Sequence, residues 1–88
     1  MKVLKIGADW CTECLVMKPR WKEIEEEFNF LETEYFDYDK NKDIREKYNI
    51  KHVPSFIFLN KDNNEFLRKE GIVEKSELVK IILENKDI

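Results

Sequence analysis

The feature that most constrains this chain is the pentapeptide Trp10-Cys11-Thr12-Glu13-Cys14, which holds both of its cysteines. Two intervening residues are too few to staple distant parts of a fold, so the pair is no disulfide framework and points to redox or metal chemistry. The pentapeptide stands where a short apolar run (Val3, Leu4, Ile6) gives way to a helical pattern. Two thiols on the first turn of a helix lie side by side. There they meet unpaired N–H groups and the positive end of the helix dipole, both of which stabilise a thiolate. Such a site demands a strand, a small-residue connection (Gly7-Ala8-Asp9) and a helix, in that order.

The rest of the chain supplies alternating elements. Val3 to Gly7 predicts a strand, with Lys5 the odd residue in its middle. From Thr12, Met17, Trp21, Ile24 and Phe28 recur at helical spacing, with Cys14 and Leu15 continuing the stripe at its start. Pro19 lies inside this helix and predicts a kink near Leu15 to Pro19 rather than two helices. Asn29 is the expected stop. Residues 30–38 predict a second strand, and 43–48 a short helix with Ile44 and Tyr48 facing inward. Residues 50–54 form a loop, in which Val53 is extended because a proline follows. Ser55 to Leu59 predicts a buried third strand, and residues 61–64 a hairpin turn into a fourth strand over 65–69, broken by Gly71. Residues 76–83 predict a last helix with Leu78, Ile81 and Ile82 facing in. Trp21 and the remaining aromatics other than Trp10 are expected in the core. The order β-α-β-α-β-β-α makes the first two strands parallel. It predicts an α/β fold, a four-stranded mixed sheet with helices on both faces.

Eighty-eight residues make one domain, 1–88, with a single core. Charged residues are 40% of the chain, yet the net charge is only -3 with the signs interspersed, so nothing asks for nucleic acid. The acidic run Glu25-Glu26-Glu27 is a solvated helix face. No apolar stretch approaches the roughly 20 residues needed to span a bilayer, and the N-terminus enters a strand directly, leaving no room for a signal peptide. The cytoplasm is the expected compartment.

Four landmarks resemble the thioredoxin family over nearly the whole chain. They are Trp10-Cys11-x-x-Cys14 after the first strand, Pro19, Val53-Pro54 ahead of the third strand, and Gly71 after the last. The resemblance implies a disulfide oxidoreductase of minimal thioredoxin fold, with Pro54 cis beside the cysteines and no cofactor beyond a reversible Cys11–Cys14 disulfide. The chain departs from the pattern in three ways. It starts at what would be the second strand of a full-length thioredoxin, as glutaredoxins and small archaeal and phage thioredoxins do. Thr12 and Glu13 replace the usual Gly-Pro or Pro-Tyr between the cysteines. Lys5 stands where thioredoxins bury an acid beneath the second cysteine, and Tyr35 stands where they carry a lysine.

The resemblance makes Cys11 the nucleophile, expected to face solvent, and Cys14 the thiol that resolves the mixed disulfide. Glu13 favours the helix start but opposes a neighbouring thiolate. That predicts a reductant, with a potential nearer about -270 mV than about -120 mV. Lys5 either reaches solvent past the sheet edge or lies under the dithiol, paired with a carboxylate or Tyr35, and relays a proton. Trp10 shields the disulfide and offers an apolar surface to substrates, and the Val53 backbone pairs with an extended substrate segment. The implied partners are protein disulfides and a thioredoxin reductase-type donor, acting on a monomer. Glutathione-dependent, glutaredoxin-like chemistry is the nearest alternative, although Glu70-Gly71 replaces the usual Gly-Gly turn. A further alternative is a metal or cluster module in a dimer, for which Cys11, Cys14 and His52 give three ligands, one short of a closed zinc site.

Overall fold

The computed structural model describes residues 1–88. Its elements run β1 (Lys2–Gly7), α1 (Thr12–Glu27), β2 (Glu32–Asp37), α2 (Lys42–Lys47), β3 (Ser55–Leu59), β4 (Glu65–Glu70) and α3 (Lys75–Asn85). The sheet order is β2-β1-β3-β4. β1 pairs parallel to β2 and antiparallel to β3, and β3 pairs antiparallel to β4. This is the predicted four-stranded mixed sheet.

The two central strands read as near-continuous apolar runs because both of their faces are covered. Val3, Phe56 and Phe58 point to one face and pack with Met17, Trp21 and Ile24 of α1 and Leu78, Ile81 and Ile82 of α3. Leu4, Ile6, Ile57 and Leu59 point to the other, where Ile44 and Tyr48 from the α2 segment close over them. Fully burying each such side chain contributes about 1.5–3 kcal/mol. Trp21 stacks at tilted angles on Phe56 and Phe58, but its buried indole N–H has no hydrogen-bond partner.

Three expectations are corrected. Leu15 is 66% exposed and leaves the apolar stripe. At 100° per residue it lies nearly opposite Met17, whereas Cys14 stays within a turn's edge of Trp21. Phe30 is exposed and sits outside β2, in the turn that follows α1. Tyr35 is 55% exposed rather than core, because β2 is an edge strand whose outer side no element covers. α1 runs through Pro19 as one helix. Gly71 adopts φ +75°, the left-handed region that favours glycine, and ends β4.

Candidate active site

Cys11 is the N-cap of α1 and Cys14 its third residue. At φ -93° and ψ 111° the Cys11 backbone is extended, so its side chain folds back over the first helical turn. Its Sγ accepts a hydrogen bond from the Cys14 N–H at 3.2 Å. One of the helix's orphan donors is thereby aimed at sulfur, where a serine or aspartate cap would usually place oxygen. The two cysteines form a disulfide with Cα atoms 5.3 Å apart, an ordinary separation for such a bridge. The expectation that Cys11 faces solvent is corrected in this oxidised state. Cys11 is 6% exposed and Cys14 half-buried, since the capping rotamer tucks the first sulfur against the helix.

The rim carries the remaining landmarks. Trp10 is 65% exposed, and its indole N–H donates to Asp39 at 2.8 Å. Asp39 comes from the turn after β2 and was legible only as turn chemistry, because no periodicity links residues so far apart. The Val53–Pro54 peptide is cis, as the resemblance implied. Pro54 lines the same cavity as Cys14, and its carbonyl accepts from the Gly71 N–H at 2.9 Å. Glu13 Oε1 lies over Gly71, 3.7 Å from where a Cβ would stand. Thr12 and Glu13 are exposed at the helix start, and Ile72, beside Gly71, adds an exposed apolar side chain. His52 is exposed, with its carbonyl accepting from the Ser55 hydroxyl. It does not join the cysteines, and no three His, Cys, Asp or Glu side chains are grouped to hold a metal ion.

Beneath the dithiol is a cavity of about 340 Å³ lined by Cys14, Lys5, Gly7, Tyr35, Trp21 and Pro54 among others. Lys5 neither reaches free solvent nor pairs with Tyr35. Its ammonium binds Glu25 of α1, whose same oxygen also accepts from the Thr33 hydroxyl of β2 at 3.0 Å. Glu25, read from the sequence as a solvated face, is thus a structural partner. Tyr35 is the register partner of Lys5 across β1 and β2. Its phenol pKa is raised above the ordinary value, first by burial of the hydroxyl end and then by the carboxylates of Asp37 and Asp9. Arg20, also on α1, ties the helix to the strand–helix connection through the Val73 carbonyl at 2.6 Å.

The family model for thioredoxin matches residues 1–84. An H-type thioredoxin of Fagopyrum esculentum is 34% identical over 77 residues, covering 88% of this chain and 65% of that protein. Thioredoxin-1 of Caenorhabditis elegans is 32% identical over 83 residues, covering 94% of this chain and 70% of the relative. The chain therefore spans about two-thirds of the length of these relatives. The crystal structure of the thioredoxin NaTrxh from Nicotiana alata superposes with a TM-score of 0.87 at 27% identity, over 96% of this chain and 71% of that one. Match, fold and cysteine pair agree: the chain belongs to the thioredoxin family.

Proposed function

We propose that the chain is a thiol–disulfide oxidoreductase that reduces protein disulfides by cycling the Cys11–Cys14 pair. The observation that carries this reading is the Cys14 N–H directed at Cys11 Sγ from the start of a sixteen-residue helix. In the reduced protein the same donor and the helix end favour a Cys11 thiolate. Lowering its pKa from about 8.5 to about 7 takes roughly 2 kcal/mol of preferential stabilisation. The Cys11 thiolate attacks one sulfur of the substrate disulfide, the S–S bond breaks, and the electron pair leaves on the other substrate sulfur. Cys14 then attacks Cys11 Sγ, the internal disulfide forms, and the second substrate sulfur departs as a thiolate. Both substrate thiolates take protons from solvent. A reductase-type dithiol donor reverses the cycle.

Trp10, held by Asp39, and the exposed Ile72 frame the dithiol with apolar surface for an extended segment, and the backbone of Val53 beside cis Pro54 offers it hydrogen bonds. We place the reaction on a monomer in the cytoplasm. The only two cysteines are the reactive pair, and a donor that keeps such a pair reduced belongs to a reducing compartment.

Insulin-disulfide reduction tests the reading on the wild type, Cys11→Ser and Cys14→Ser. The wild type is active, and both variants lose essentially all turnover. Cys14→Ser alone accumulates a mixed disulfide with the substrate. Activity surviving in Cys11→Ser would sink the assignment. Glutathione supporting faster reduction than a thioredoxin reductase would move the chain to the glutaredoxin-like alternative.

A further inference from the structure

The cycle needs Cys14 to become a thiolate at the resolving step, and the sheet position beneath that sulfur carries Lys5 rather than an acid. Lys5 lines the same cavity as Cys14 but directs its ammonium to Glu25, whose oxygen also accepts from the Thr33 hydroxyl. What borders the sulfur instead is Tyr35. A Cβ built on Gly7 would stand 3.0 Å from both Cε1 and Oη of Tyr35 and 3.3 Å from Cys14 Sγ. The phenol oxygen and the sulfur therefore flank the volume of one absent methyl group, and both open onto the same cavity. In the disulfide the sulfur is tied to Cys11. Opening the bond frees Cys14 Sγ to turn about χ1 into that gap.

We propose that the Tyr35 hydroxyl is the hydrogen-bond donor that holds Cys14 as a thiolate for the resolving attack, with Gly7 keeping the space between them clear. The inference rests on the thiol–disulfide reading. The Cys14 thiol proton leaves through the cavity to solvent and Tyr35 keeps its own, so the step needs no oxidant beyond the substrate disulfide. Other charges lie around the pair: Lys5 from β1, Asp9 from the following loop and Lys18 from α1 line the same cavity, and Asp37 of β2 acts on the phenol. A phenol is protonated at neutral pH, so Tyr35 has an O–H to donate to a thiolate. Lys5 directs its ammonium at Glu25.

Tyr35→Phe removes the oxygen and keeps the ring, and Tyr35 is exposed enough for the substitution to leave the fold intact. In a Cys11→Ser background Cys14 is the only thiol. There Tyr35→Phe shifts the thiolate absorbance profile to higher pH by about one unit, a change typical of losing a charge-assisted hydrogen bond. This readout needs no turnover, so it stands apart from the insulin assay. In the otherwise wild-type protein, resolution of a preformed mixed disulfide slows about threefold at neutral pH. The tenfold loss of thiolate is partly offset by the greater nucleophilicity of a more basic sulfur. The rate of the first Cys11 attack stays unchanged. Gly7→Ala, which fills the gap, moves the Cys14 profile in the same direction. Superimposable Cys14 profiles with and without the Tyr35 hydroxyl overturn the proposal, as does an equal slowing of both attacks.

Discussion

Glu13 stands between the two cysteines with its carboxylate over Gly71, and its charge works against a thiolate on either neighbour. The carboxylate is exposed, so solvent screens it and the effect stays below about 1 kcal/mol. For a two-electron couple that corresponds to about 20 mV. Destabilising the reduced form makes the protein a stronger reductant, so Glu13→Gln raises the potential by up to about 20 mV. Equilibration against a glutathione buffer measures it. A wild-type value above about -200 mV would sink the reductant assignment, and a potential that falls in Glu13→Gln would reverse the role of the carboxylate. At this level the cysteines and Glu13 were legible because their meaning is local or fixed by spacing, and Pro54 through the family resemblance. The Trp10–Asp39 hydrogen bond and the exposure of Cys11 were not. The first joins residues distant in sequence, and the second depends on which rotamer the N-cap adopts.

Strands and helices were legible wherever both sides of the element are buried. β3 is covered on both faces and its span was read to the residue, whereas β2 is an edge strand whose loose aromatic alternation extended the prediction by two residues at its start. α3 begins one residue earlier and ends two later than its apolar pattern, since polar terminal turns carry no periodic signal. The contact that ties three elements together was hidden for a related reason. Lys5 on β1, Glu25 on α1 and Thr33 on β2 meet only once the helix has packed on the sheet. This half-buried pair joins the helix that carries the dithiol to the strand beneath it. A double-mutant cycle of Lys5→Met and Glu25→Gln, followed by urea unfolding, yields a coupling of about 1 kcal/mol. Additive effects of the two substitutions would mean that the pair adds nothing beyond two independent side chains.

Across the molecule, the order of elements and the two-faced core followed from hydrophobic pattern, because burial on both sides of a sheet leaves a strong record in composition. Electrostatics left a weaker one, since charges pair through space. Two groups hold their protons to higher pH in the folded chain than they ordinarily do. Tyr35 is raised above its ordinary pKa by burial and by Asp37 and Asp9, and Lys2 is raised by its hydrogen bond to Glu34 and by the charges of Glu34 and Glu32. In both cases the folded chain holds its proton to higher pH than the unfolded chain does. Between the two pKa values the native state binds more protons, so stability falls as pH rises. The contribution is fully present below about pH 10 and is lost as pH climbs through the folded-state values. With the disulfide intact there is no free thiol to add its own titration. Urea midpoints of the oxidised protein therefore hold level up to about pH 10 and then decline. In Tyr35→Phe the decline is shallower, leaving the part that Lys2 supplies. Parallel declines in the two proteins would show that the phenol keeps an ordinary pKa.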